Sequence, residues 1–296
     1  MNQKMRTTAI AVLAGISIFL TGCVSIQSSS SEQGKLLVEP VLPNYKLEIT
    51  LAKLNEILSS ADLTKVQRAR FHYDRGVIYD SVGLRILSRI DFHQALKLQP
   101  DLADAYNFIG IYYTQEGEFE SSYEAFDTVL ELSPEYDYAY LNRGIALYYG
   151  ERYQLAIADM QSFYSLAPED GYRALWLYLT ESAQDAEQAK ANLELNRTQL
   201  MPDAWSNVLV DYYLGKQSKE AVFSAAKLGL SHSSEYTERL CEAYFYIAKI
   251  AQQQGLYSDA ANYFRLVLAT NIYGFVEHRY ARVELAKLDM LMHQEQ

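Results

Sequence analysis

The chain has 296 residues, 49% of them apolar, with a formal net charge of -11 and a pI near 5. That length and apolar content support a sizeable core, in one large domain or two ordinary ones. The acid excess, with no dense Lys/Arg run to offset it, excludes a nucleic-acid backbone as partner.

Residues 1–22 read as a secretory signal peptide. "MNQKMR" carries Lys4 and Arg6, "TTAIAVLAGISIFL" supplies a short apolar core, and "LTGC" closes it with small residues before Cys23. The apolar run is short of the roughly 20 residues a membrane-spanning helix needs. "LTGC" resembles the lipobox of bacterial lipoproteins. The resemblance implies cleavage before Cys23, diacylation of its sulfur and acylation of the new amine, which together give enough chains for stable anchoring. Loss of Lys4 and Arg6 takes the formal charge from -11 to -13. Val24 stands where inner-membrane lipoproteins of enteric bacteria usually carry Asp, which points to the outer membrane, facing the periplasm.

Residues 23–44 are a lipidated N-terminus and flexible tether rich in Ser, Gln, Gly and Pro, reaching about 25 Å from the bilayer as a random coil. Residues 45–68 form an N-terminal helical segment in which Leu47, Leu51, Leu54 and Leu58 share one stripe. Asp62 is expected to cap the next helix, and homodimerisation is assigned to the helix around Leu47 to Leu58.

From Ala69 onward the chain repeats. Gly76, Gly110 and Gly144 lie 34 residues apart, as do Pro100, Pro134 and Pro168; Phe92, Phe126 and Met160; and Ser88, Ser122 and Ala156. This resembles the tetratricopeptide repeat, a 34-residue helix-turn-helix unit, in copies at 69–102, 103–136 and 137–170. The glycine costs about 1 kcal/mol against alanine mid-helix, so its recurrence implies a steric need. The spacing predicts that it faces the small residue at 88, 122 or 156, letting the two helices cross closely. Tyr79 and Tyr113 fill the seam, with Leu147 in the third copy, and Gly83 and Gly117 end the first helix in left-handed turns. Each proline stops the second helix. A single unit cannot bury its apolar face alone, so the units must stack.

Residues 171–240 read as degenerate helical repeats, and 241–274 as a further repeat with Gly255, Tyr257, Ala260 and Phe264 in register and Ala248 in place of the glycine. Residues 275–296 read as a capping helix whose Val276, Tyr280, Val283 and Leu288 cover the last repeat. The fold class is all-α, a tetratricopeptide-repeat solenoid. Cys241 has no intramolecular partner once Cys23 is acylated and reads as a small buried apolar residue.

Nothing in the chain carries a catalytic or cofactor signature. The histidines at 72, 93, 232, 278 and 293 are scattered, Glu277 and His278 are adjacent and so diverge on a helix, and no H-E-x-x-H, Cys/His cluster, P-loop or G-x-S-x-G occurs. No metal, cofactor or enzymatic activity is expected. Function then rests on a surface. In the tetratricopeptide family the first helices line a concave groove that holds a peptide or helix. The resemblance places that groove on Tyr73, Val77 and Asp80; on Asn107, Ile111, Thr114 and Gln115; and on Leu141, Ile145, Tyr148 and Tyr149. Two adjacent tyrosines diverge on a helix, so at least one of Tyr148 and Tyr149 should be open to a ligand.

The lipobox, the tether, "YDRGVIYDSVGLRILSRIDFHQAL", "YNFIGIYYTQEGEFESSYEAFDTVLELSP", "YAYLNRGIALYYG" and "FVEHRYA" together resemble a family of bacterial tetratricopeptide lipoproteins. That resemblance implies a homodimeric adaptor on the outer membrane, binding a periplasmic peptidoglycan endopeptidase and a processing protease in cell-wall growth and division. The competing expectation is a pilotin-type lipoprotein that assembles outer-membrane subunits.

Overall fold

The computed structural model describes residues 39–59 and 62–294. The signal segment, Cys23 and most of the tether lie outside these described residues. Among the described residues there are fourteen helices and no strands. α1 (Tyr45–Ser59) precedes α2 (Lys65–Ser81) and α3 (Arg85–Leu98), α4 (Ala103–Glu116) and α5 (Phe119–Leu132), and α6 (Asp137–Tyr149) and α7 (Tyr153–Leu166). Three further pairs follow: α8 (Gly171–Ser182) with α9 (Ala186–Arg197), α10 (Ser206–Tyr213) with α11 (Lys219–Ala225), and α12 (Glu235–Gln253) with α13 (Tyr257–Ala269). The last helix is α14 (Val276–Gln294). The architecture is an all-α solenoid of consecutive helix-turn-helix pairs.

Local chemistry sets the ends of these helices. α2 is capped by Thr64 rather than Asp62: the Thr64 hydroxyl accepts the Gln67 N–H at 3.2 Å, and the Gln67 side chain accepts the Thr64 N–H at 3.0 Å. This reciprocal box needs a hydroxyl and an amide three residues apart, and Asp62 is two positions too early for it. Gly117 ends α4 with φ 79°, in the left-handed region where a side chain is disfavoured. One period later the same backbone turn falls on Glu151, at φ 61°. Pro100, Pro134 and Pro168 each lie two residues beyond the end of α3, α5 and α7.

The repeated glycines have a different neighbour from the one their spacing predicts. A Cβ on Gly110 would lie 2.7 Å from the ring of Phe126, on Gly76 2.9 Å from Phe92, and on Gly144 2.9 Å from the Met160 methyl. The large residue sixteen positions on, not the small one at twelve, rests on the glycine. The small residue instead bonds the backbone, since Ser88 and Ser122 donate hydrogen bonds to the carbonyls of Gly76 and Gly110 at 2.7 and 3.0 Å. Both residues on the second helix therefore read the same turn of the first.

A second interval joins the first and third pairs. Arg75 grips Asp91 with two bonds of 2.6 and 2.7 Å, and Arg143 grips Asp159 with two of 2.7 Å. In the middle pair the same positions are Ile109 and Ala125, both buried. The register thus accepts either a bidentate ion pair or an apolar contact, in keeping with the near equivalence of such pairs in energy.

α1 lays Leu54 into the body, with Leu47, Leu51 and Leu58 partly buried beside it. Val41 donates its N–H to the Thr270 carbonyl at 3.0 Å, so the entering chain passes the end of α13. The main core runs from Leu141 to Leu288 and includes Trp176, Tyr213, Tyr244, Phe245, Tyr246 and Tyr280. Cys241 is buried within it, and burial pushes its thiol pKa up.

Candidate functional site: the inner face and the helix that fills it

α14 packs on α13 and also reaches the first helices of several pairs. Arg279 of α14 bonds Asp80 of α2 at 2.6 and 3.3 Å, and its carbonyl accepts Gln115 of α4 at 2.8 Å. Glu284 accepts the Tyr149 hydroxyl of α6 at 2.8 Å and the Lys249 ammonium of α12 at 2.7 Å. The Tyr280 ring stacks on Tyr149 at 5.4 Å and meets Trp176 of α8 edge-on at 6.4 Å. Helices α2, α4, α6, α8 and α12 are all touched by one segment. The capping helix is expected to cover the last repeat; in addition α14 reaches α2, α4, α6 and α8.

The groove positions read from the sequence are accordingly occupied. Asp80 also accepts the Tyr112 hydroxyl at 2.7 Å. Asn107 accepts from Asn142 at 2.9 Å, and Thr114 shares its hydroxyl with the Gly110 carbonyl and Ser122. Ile111, Leu141 and Ile145 are buried. Tyr73 and Val77 pack beside Phe92, and burial followed by Asp104 pushes the Tyr73 pKa up to about 12. Gln115 is half-buried under α14. Tyr149 is 5% exposed, while Tyr148 keeps a partly exposed ring and receives a hydrogen bond from Lys249 at 3.0 Å. These side chains converge on one face, and α14 covers the part of it formed by Asp80, Gln115 and Tyr149, while Tyr73, Val77 and Tyr148 stay partly exposed.

The centre of that contact is ionic. Lys249 and Glu284 have side chains 5% and 1% exposed. Burial alone would lower the Lys249 pKa and raise that of Glu284, yet each outweighs the other's desolvation, and Lys249 ends raised and Glu284 lowered. Both stay charged because Tyr148, Tyr149 and Gln252 supply the remaining hydrogen bonds.

A second pocket, of about 270 Å³, lies between α6, α7, α8, α12 and the start of α14, walled by Tyr138, Phe163 and Trp176. Glu242 accepts the Trp205 indole N–H at 2.7 Å and Glu277 the Tyr246 hydroxyl at 3.1 Å. Burial raises the pKa of both carboxyls, and Glu277 raises Glu242 further. His278 turns away from Glu277 to the Leu268 carbonyl and the Tyr273 ring, with its pKa lowered by burial to about 4. Among the described residues no group of three His, Cys, Asp or Glu is placed to hold a metal ion, and no helix is long and apolar enough to cross a membrane.

The role of α14 escaped the sequence reading, although a signal for it exists. Lys249 interrupts the apolar run "YFYIAKIA", and Glu277 and Glu284 fall on the stripe of Tyr280 and Leu288. A charge on a stripe that must be buried requires a buried opposite charge, so Lys249 and Glu284 could have been paired from their positions.

This arrangement defines a class: an all-α helical-repeat solenoid, with part of its inner face occupied by its own C-terminal helix. The family model of the tetratricopeptide repeat matches residues 103–136, the second of the regular pairs. Among solved structures, a tetratricopeptide repeat protein from Parabacteroides merdae is 17% identical, with a TM-score of 0.53, covering 83% of this chain and 93% of that one. MamA from Desulfovibrio magneticus is 19% identical over 52% of this chain and 85% of its own, at 0.47. The pilF protein of Pseudomonas aeruginosa is 20% identical over 73% and 97%, at 0.43. The first of these likenesses supports the fold, and the other two are too distant to add to it.

Proposed function

We propose that this chain is a lipid-anchored periplasmic adaptor, homodimeric and held at the outer membrane through acylated Cys23. In this reading it resembles the bacterial lipoprotein NlpI, and brings a peptidoglycan endopeptidase and its processing protease together during cell-wall growth and division. The observation that carries the adaptor role is the repeat itself: a stacked solenoid whose described residues are committed to packing and surface. Joining two partners on one anchored body raises their effective concentration for each other without any reaction by the adaptor. Because α14 covers only the part of the inner face formed by Asp80, Gln115 and Tyr149, partners use the groove positions left partly exposed, Tyr73, Val77 and Tyr148, with the rim and outer helices beside them.

Affinity purification from cross-linked cell envelopes tests this. Wall hydrolases and a protease should co-purify with the full chain; recovery of outer-membrane barrels or secretin subunits instead would replace the reading with an assembly role. Cys23→Ser should give a folded protein that leaves the membrane pellet at high salt. Retention in the pellet would refute anchoring through that sulfur.

A further inference from the structure

The start of α3 carries an unusual set of side chains for an outer helix. Within seven residues Leu84, Ile86, Leu87 and Ile90 are 46%, 79%, 44% and 52% exposed, while Ser88, Asp91 and Phe92 take the buried side. The aliphatic strip forms one wall of an open cavity of about 890 Å³ between α3, α4 and α14. The same cavity is lined by three guanidiniums, Arg85 and Arg89 beside the strip on α3 and Arg282 on α14, against one carboxylate, Glu116. Arg89 is taken by Glu116 at 2.5 Å. Among the described residues no carboxylate pairs with Arg85 or Arg282.

Arg85 is held in an unfinished state. Its Nε is buried without a hydrogen-bond partner, as is the Gln115 Oε1 in the same cavity. Its cationic carbon lies 5.6 Å from the Tyr112 ring centre, which fixes the guanidinium in place. Burial, and beyond it the like charge of Arg282, lower its pKa. In a chain of net charge -11 this is a local excess of positive charge beside an apolar wall.

We propose that this cavity docks an acidic, leucine-rich peptide segment of a partner protein, with a carboxylate between Arg85 and Arg282 and aliphatic side chains on Ile86, Leu87 and Ile90. Charge complementarity selects the occupant. A small inorganic anion has no use for the aliphatic wall. A second copy of this chain, meeting the patch about a two-fold axis, would double the unpaired guanidiniums in one interface and bring no carboxylate from the patch beyond Glu116, which Arg89 already holds. The proposal rests on the adaptor reading and gives it a recognition chemistry.

The test uses the full chain and a fluorescent, acetylated and amidated peptide of alternating glutamate and leucine pairs, followed by anisotropy at low salt. Binding should weaken at least tenfold when the peptide's glutamates become glutamines, in Arg282→Glu, and in the Ile86→Ser/Ile90→Ser double variant. These side chains are solvent-exposed, and circular dichroism checks that folding is kept. Equal affinity for the glutamine peptide, indifference to Arg282→Glu, or no binding at all would overturn the site. So would a change from dimer to monomer in Ile86→Ser/Ile90→Ser with peptide affinity intact, since the strip would then join two copies. Cross-linked capture by Arg282→Glu separates the two ideas. Hydrolase capture that persists while the peptide fails to bind leaves the adaptor reading standing without this site. Peptide binding as expected, with no hydrolase captured, leaves the site standing and removes the assigned partners.

Discussion

Gly110 shows how one missing side chain sets a helix crossing. Its Cα is the floor for the Phe126 ring, and its carbonyl holds Ser122, so two turns of α5 are registered by a single residue. Alanine there gains about 1 kcal/mol of helix propensity, but its methyl would sit 2.7 Å from a ring that is fully buried. Overpacking of that kind costs about 1–3 kcal/mol. Gly110→Ala should therefore lower the thermal midpoint, and Gly110→Leu should lower it further. A midpoint at or above the parent's for Gly110→Ala would show that the ring yields without cost. Lys249 is the other residue on which much depends. Lys249→Met leaves Glu284 charged, buried and short of its partner, a loss of about 3–5 kcal/mol. The Lys249→Met/Glu284→Leu pair should recover most of it in chemical denaturation. Failure to recover would mean that shape, not charge, governs the contact.

At the scale of elements, the regular pairs were legible because their period repeats. Three glycines, three prolines and three large residues at one interval mark units opening at 69, 103 and 137; α4 and α6 begin at Ala103 and Asp137, whereas α2 begins four residues early, at Lys65, inside the segment read as N-terminal. The shorter α10 and α11, with eight and seven residues, carry no such period and were read only as degenerate repeats. The cap falls on Thr64 rather than the expected Asp62 because Gln67, three residues on, completes the reciprocal box with Thr64 alone. The inner face was identified as a set of converging residues, yet its coverage was not, because periodicity reports which face of a helix is buried and not what buries it. α14 is the element that decides this. A chain ending at Gly274 would uncover Tyr149, Trp176 and Tyr246 and strand Lys249. It should bind the hydrophobic dye ANS strongly and melt at lower temperature. A synthetic peptide of residues 275–294 added in trans should suppress the dye signal. A truncated chain that melts like the parent would show that α14 is only loosely held.

Over the whole molecule, the buried carboxyls make stability depend on pH in opposing ways. Glu284 has a lowered pKa, so its contribution is present above the unfolded carboxyl value and is lost as acid protonates it. His278, lowered to about 4, likewise costs stability as pH falls below the unfolded imidazole value. Glu242 and Glu277 act in the other sense. Their folded pKa values are raised, so their contribution is complete below the unfolded carboxyl pKa of about 4.3. It is lost as pH rises, because the unfolded chain releases protons that the folded pocket retains. From pH 5 to 8 the His278 and Glu242/Glu277 slopes partly cancel in the parent, so a difference measurement isolates the pair. Glu242→Gln/Glu277→Gln keeps two neutral side chains that still accept from Trp205 and Tyr246. Near pH 5 the variant should match the parent or fall slightly below it, and by pH 8 it should be the more stable, with the gap widening steadily between. Thermal melts of both proteins across that range check this. A gap independent of pH would show that Glu242 and Glu277 lose their protons in the folded chain as readily as in the unfolded one, and that the pocket between α6, α7, α8, α12 and α14 is wetter than its aromatic walls imply.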